Sequence, residues 1–272
     1  MNDTQPPFIR IGTPQRGGII AVADHAGDAV PDEIELGIPA ELMEQHIAVD
    51  IGTAGIAERL ARKHGIAAQI AQVSRLVIDL HRNEGDAALV VTSSDGHTIP
   101  GNIGADIERR TALYHRPYHE AFAQMVAEAQ PSLILAIHSF TPVMGSTGEQ
   151  RPWDVGLLYN QDDSAARIAI DAFGAMGFTV GDNEPYSGKQ LNATMDRHAE
   201  ANGIPYLTIE VRQDLVARKS HQAVWADRIA QVAQEFQPRL GRFPVTGLDG
   251  QHFLAAVAHG TDDHQQGGLV FL

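Results

Sequence analysis

Cysteine is missing altogether from the 272 residues. That excludes disulfides and thiolate-held metals, so any transition metal has to sit on His, Asp or Glu. Positive charge is scarce: 20 Lys and Arg stand against 34 Asp and Glu, a formal net charge of -14. Such a surface repels phosphate backbones and anionic lipid, so neither nucleic acid nor membrane is expected as a partner. The same field opposes an anionic small molecule, which needs a local cluster of arginines to bind. Apolar runs fall far short of a membrane span. The opening MNDTQPPFIR lacks the basic-then-apolar order of a secretory signal. A cytoplasmic protein is therefore expected; the oligomeric state is not legible.

Internal repeats, low-complexity stretches and any linker between two cores are also missing, so one domain is expected over residues 1–272. What is present is ordinary for a globular chain: 43% hydrophobic and 20% charged residues, enough for a substantial core. Short apolar runs alternate with helical-period segments, the pattern of an α/β sheet. Candidate strands are Gly18–Val22, part of Ile70–Leu80, Leu133–His138, Val155–Tyr159 and Tyr206–Val211. Their Ile, Leu and Val content suits strands covered on both faces. Candidate helices are Ala40–His64, with a glycine stop at Gly65, Asp106–Ala129, Ser164–Met176, Leu191–Ala201 and His221–Phe236. In the second of these, Tyr114, Tyr118, Phe122 and Met125 form one stripe despite Pro117. The Gly, Ser and Asp-rich stretch Asp86–Gly104 reads as a long loop, a length often tied to function.

Ligand sites in open α/β sheets form at the carboxyl ends of strands, and three polar groups fall there. His25 follows the first candidate strand, His138 ends the third, and Glu210 lies inside the last. A carboxylate among Leu207, Ile209 and Val211 is costly unless it is paired or used. Taken singly, either histidine is as well explained by a structural role. A second cluster, Ser74 to Arg82, sets Arg75, Asp79, His81 and Arg82 into an apolar run. Arginine binds a carboxylate through two parallel hydrogen bonds, although pairing with Asp79 or surface acids explains the segment slightly better. His46 and Asp50 are four apart and share a face if Ala40–His64 is helical. Asp28, three residues after His25, is within reach of a metal held there. Arg197, His198, Arg212 and Asp214 flank the Glu210 strand; surface charge explains Asp214 better than Arg212.

Together these segments resemble the N-formylglutamate amidohydrolase family. The matching stretches are Asp24–Gly27, His46–Gly52, Ser74–Arg82, Ile99–Asn102, Pro117–His119, His138–Pro142 and Ile209–Leu215, in the family's order. The family is similar, more distantly, to zinc carboxypeptidases and aspartoacylase-type deacylases. The resemblance implies a three-layer α/β/α fold with a central mixed, mostly parallel sheet, of the phosphorylase/hydrolase-like kind. It implies a zinc-dependent amidohydrolase, another divalent metal being possible, with His25, Asp50 and His138 as ligands and Asp28 as the alternative carboxylate. It implies Glu210 as the general base and Arg75, His81, Arg82 and Arg212 as substrate-binding residues. Asp79-Leu80-His81-Arg82 resembles the Asp-Leu-Asn-Arg of the carboxypeptidases, with His81 in place of asparagine. The implied substrate is a small N-acyl amino acid, N-formyl-L-glutamate first, and the implied role is in histidine degradation. Two rivals stand beside it: a deacylase for another N-acyl amino acid or short peptide, and a non-catalytic anion-binding protein of the same fold.

Overall fold

The computed structural model of the chain describes residues 6–240. Residues 1–5, part of the opening read for a leader, and 241–272, the end of the expected single domain, lie outside the described residues. Nine strands form among the described residues: β1 Phe8–Ile11, β2 Ile19–Ala23, β3 Ala67–Ala71, β4 Ser93–Ser94, β5 His97–Thr98, β6 Leu133–Phe140, β7 Val155–Leu158, β8 Val180–Asp182 and β9 Tyr206–Arg212. Seven of them make one sheet in the order β1-β3-β2-β6-β9-β7-β8, while β4 and β5 pair as a separate hairpin. Strands β3, β2, β6 and β9 run parallel; β1 and β7 join them antiparallel, and β8 is parallel to β7. The sheet is mixed and mostly parallel, as the resemblance implies.

Helices are α1 Thr53–His64, α2 Ile107–Arg110, α3 Arg116–Ala129, α4 Ser164–Ala175, α5 Ala193–His198 and α6 Lys219–Leu240. Alternation along the strands divides the core between the two faces of the sheet. Leu133, Leu135 and Ile137 of β6 and Leu207, Ile209 and Val211 of β9 pack with Ile56, Phe173 and Trp225, from α1, α4 and α6. Ile134, Ala136 and Tyr206 pack on the other face with Tyr118, Phe122 and Met125 of α3 and Met195 of α5. Three layers result. No helix among the described residues is long and apolar enough to cross a membrane.

Two expected elements are broken. Ala40–His64 is a short 3-10 turn, Ala40–Glu44, followed by a loop and then α1. The loop is tied elsewhere: Asp50 donates its backbone N–H to His25 O at 2.9 Å. Gly52 then turns the chain at φ 87°, where an added Cβ would stand 2.5 Å from Val216 O, so only glycine fits. His46 and Asp50 therefore share no helix face. Likewise β3 stops at Ala71, and residues 74–82 form turns whose apolar members Leu76, Val77, Ile78 and Leu80 are buried without pairing in the sheet. Ser74 Oγ donates to Ala48 O at 2.8 Å and takes Leu76 N–H, competing with the ladder. Within Asp106–Ala129 a π turn at Thr111–His115 precedes α3, and Pro117 sits in the first turn of α3, where its missing N–H is tolerated. Strands β1 and β8 escape the sequence pattern because both are short edge strands with few fully buried residues.

Candidate functional site

Register builds the site. β6 and β9 are neighbours with His138 opposite Glu210, and both follow the parity of Ile134 and Tyr206, the face covered by α3 and α5. Asp24, one residue past β2, continues the parity of Ile20 and Val22 on that same face. His25 follows it, and the Gly52 turn brings Asp50 alongside. Asp50 Oδ2 stands 3.0 Å from His138 Nδ1 and 3.4 Å from His25 Nδ1. Both histidines thus point the same ring nitrogen at one carboxylate oxygen.

Their other ring nitrogens face a second pair of carboxylates. His25 Nε2 donates to Asp79 Oδ1 at 2.6 Å. His138 Nε2 lies 3.7 Å from Asp24 Oδ2 and has no hydrogen-bond partner. Asp24 is fully buried and accepts from Tyr118 Oη at 2.7 Å and His81 Nδ1 at 3.0 Å. Carboxylates placed behind imidazoles in this way fix the tautomer and ring orientation of metal-binding histidines.

Four buried carboxyl groups, Asp24, Asp50, Asp79 and Glu210, converge here. Arg75 bridges two of them, through Nη1 to Asp50 at 3.2 Å and Nη2 to Asp79 at 3.0 Å. Burial opposes charging His138, but the Asp24 and Asp50 carboxylates overcome it and hold its pKa up at about 10. Burial and Arg75 pull His25 down, and Asp79 and Asp50 outweigh them to raise it. The site therefore draws positive charge. Burial pushes Glu210 up to about 7, with His138 acting against the rise, and its Oε2 has no hydrogen-bond partner among the described residues.

The donor set fits a divalent metal. Atoms of His25, Asp50 and His138 lie within 4.8 Å of one another, all buried; two imidazoles and a carboxylate without sulfur match the three-ligand pattern of hydrolytic zinc sites. Asp24, His81 and His138 form an equally tight trio. There, however, Asp24 is already engaged by Tyr118 and His81, as an orienting carboxylate is. Asp28, the alternative ligand, is exposed and outside both trios.

His25, Asp50, Asp79, His138 and Glu210 line a cleft of about 660 Å³, counting its open mouth, together with Arg75, Arg82, His81, Tyr186, Leu158 and Leu191. The structure brings His25, Asp50, Arg75, His81, Arg82, His138 and Glu210 to one cavity. It does not bring Arg212, which is turned to Asp214 at 2.8 Å and Asp154 at 3.3 Å. Arg212 shares the parity of Glu210, but it is the last residue of β9, and those two carboxylates hold its guanidinium beyond the site. His46 lines the cleft from the loop before Asp50, 3.0 Å from Asp95 Oδ2 but out of line for a hydrogen bond.

Several functional neighbours were not assigned from sequence. Asp24 stood in a recognised segment without a role, and Asp79 was read only as a partner for arginines, which it is for Arg75; strand parity from β2 was the one signal available for Asp24. Histidines 115, 119 and 198 form a buried group behind the cleft. His198 Nε2 donates to His119 Nδ1 at 2.9 Å, His119 Nε2 to Leu80 O at 2.9 Å, and His115 Nε2 to Arg82 O at 2.8 Å. They grip the backbone of the segment that carries His81 and Arg82. Burial holds His119 at about 2 and His198 at about 4, so both are neutral donors.

Comparison with known proteins agrees with the fold. A gene product of Agrobacterium tumefaciens is 26% identical, with a TM-score of 0.82 over 87% of this chain and 97% of the other. An N-formylglutamate amidohydrolase from Ralstonia eutropha JMP134 shares the fold at 18% identity and a TM-score of 0.67, over 88% and 99% of the two chains. No curated protein matches the chain. The profile of one family covers residues 17–217, a span that takes in His25, Asp50, Asp79, His138 and Glu210, and so the chain belongs to the N-formylglutamate amidohydrolase family.

Proposed function

We propose that the protein is a metal-dependent hydrolase of N-acyl amino acids with an acidic side chain, with N-formyl-L-glutamate as substrate and formate and L-glutamate as products. The observation that carries this reading is the convergence of His25 Nδ1 and His138 Nδ1 on Asp50 Oδ2, beside a buried glutamate with an unpaired oxygen. His25, Asp50 and His138 would hold the metal. A bound zinc lowers the pKa of a coordinated water from about 15.7 to roughly 7 and polarises a carbonyl oxygen.

The chain's own groups do the rest. Glu210, with its pKa raised to about 7 by burial, accepts a proton from the attacking water at Oε2 and returns it to the departing amine nitrogen. One C–N bond breaks, one C–O bond forms, and the products are a carboxylate and an amine. Arg82 reaches into the cleft with Asp86 as its nearest carboxylate at 3.6 Å, which leaves it able to bind the substrate's α-carboxylate. Arg75, held between Asp50 and Asp79, steadies the ligand carboxylate, and its charge lies beside the developing oxyanion. A non-catalytic anion binder has no use for the unpaired oxygen of Glu210.

The test is metal analysis of the purified protein joined to a screen of N-acyl amino acids for amine release. About one divalent metal per chain and release of glutamate from N-formylglutamate are expected. A metal-loaded protein that releases amine only from neutral N-acyl amino acids would reject the substrate reading and keep the chemistry.

A further inference from the structure

A dicarboxylic substrate presents two anionic ends, and the arginines in and around the cleft are not equally free to meet them. Arg75 is spent on Asp50 and Asp79, and Arg212 on Asp154 and Asp214. Arg151 is different. It is 7% exposed, yet among the described residues no carboxylate pairs with it, and its Nε has no hydrogen-bond partner. A buried cation without a counter-ion is costly. Its guanidinium lies 4.8 Å over the ring of Tyr186, and its Nη1 donates to the Tyr186 hydroxyl at 2.8 Å.

Tyr186 lines the cleft, and its hydroxyl feels the charges of Glu210 and Arg75. The hydroxyl accepts from Arg151 and makes no other hydrogen bond among the described residues, so its own proton is left to donate. The loop carrying Tyr186 is pressed onto β7: a Cβ on Gly156 would stand 2.1 Å from Glu184 O, and one on Gly188 2.5 Å from the Tyr159 backbone. Leu158 therefore lies beneath this loop and, with Leu191, lines the same cleft. Apolar wall followed by a charge-backed donor is the shape of a short methylene chain ending in a carboxylate.

We propose that the Arg151–Tyr186 pair is the subsite for the substrate's side-chain carboxylate, Tyr186 donating the hydrogen bond and Arg151 supplying the charge behind it. This rests on the reading of the cleft as a site for a dicarboxylic amino acid. Arg82 then takes the α-carboxylate, and the role first given to Arg212 passes to Arg151.

The experiment compares N-formylglutamate with N-formylglutamine on the metal-loaded full-length protein, wild type, Tyr186→Phe and Arg151→Met. Tyr186→Phe keeps the ring and its stacking, so it remains informative if Arg151→Met folds poorly. The glutamate-over-glutamine ratio in kcat/KM should fall about tenfold or more in Tyr186→Phe, mainly through KM, as for loss of a charge-assisted hydrogen bond. An equal loss on both substrates, with the ratio kept, overturns the subsite, because the pair would then serve the reacting oxygen or the fold. Calorimetry with glutarate and butyrate separates this from the proposed activity. If neither formyl substrate is turned over but wild type prefers glutarate and the variants do not, the activity falls and the subsite stands. Glutarate bound no tighter than butyrate by wild type, or a preference kept by both variants, rejects the subsite.

Discussion

His138 and Glu210 occupy opposed positions on adjacent parallel strands, so the position of one fixes that of the other. A one-residue slip of β9 would turn Glu210 to the far face and put Val211 or Ile209 in its place. The two groups proposed as metal ligand and proton acceptor are thus placed by sheet register rather than by a loop.

Metal content should follow Asp50 and not Asp28. Asp50→Asn removes the negative charge at the oxygen on which His25 and His138 converge and should weaken metal affinity about tenfold or more. Asp28→Asn, at an exposed position, should leave it unchanged. Elemental analysis after graded dialysis reads both, and the reverse order would assign the site to the exposed aspartate.

Glu210→Gln should keep metal and fold while kcat drops roughly 10²–10⁴-fold, the usual share of a positioned acid–base group. The amide fills the same space but cannot accept the proton. Near-normal kcat in a folded, metal-loaded variant would remove Glu210 from the chemistry.

Asp24→Asn tests the carboxylate behind His138. Loss of an outer partner typically costs 10–100-fold in metal affinity or activity, although Asp24 touches the substrate cleft only through His81 and His138. Competition against a chelator measures the affinity. An Asp24→Asn protein that holds metal as tightly as wild type would show that His138 is oriented without it.

Acid should destabilise the fold through the histidine group behind the cleft. Burial lowers His119 to about 2 and His198 to about 4, from the ordinary histidine value of 6.5. The unfolded chain takes up these protons below pH 6.5 and the folded protein refuses them, so stability is intact above that pH and lost as it falls. Each refused proton costs about 1.4 kcal/mol per pH unit. His119→Gln keeps an N–H donor for Leu80 O and removes one titration. Between pH 6.5 and 5 it should lose about 2 kcal/mol less stability than wild type, by urea denaturation. Parallel pH curves for the two proteins would count against a neutral, buried His119.

Arg212→Ala should leave the preference between N-formylglutamate and its glutamine analogue as it is in wild type, since Arg212 is bound to Asp154 and Asp214 outside the cleft. Arg82→Met should raise KM for both substrates about tenfold or more, through loss of the α-carboxylate contact. Steady-state kinetics decide it, and a changed preference in Arg212→Ala would return that residue to the site.

The sequence by itself determined the strands that carry the site and the identity of the groups at their ends. Leu133–Phe140 and Tyr206–Arg212 are legible because burial on both faces is written locally, in an unbroken apolar run that a histidine or glutamate interrupts. The same local logic misread 40–64 as one helix, and of 70–80, read in part as strand, only Ile70 and Ala71 belong to β3. There the backbone bonds to distant partners, Asp50 N–H to His25 O and Ser74 Oγ to Ala48 O, and long-range pairing overrides periodicity. Tertiary structure alone decided which charges remain available. The order of residues offers Asp79 to Arg75, four positions away, but it does not show that Asp50 joins that pair or that Arg151 has no acidic partner among the described residues. Nor does it show that Asp24 and Asp79 stand behind the two histidines, because an ion pair between residues 54 or more apart depends on how the whole chain closes around the sheet.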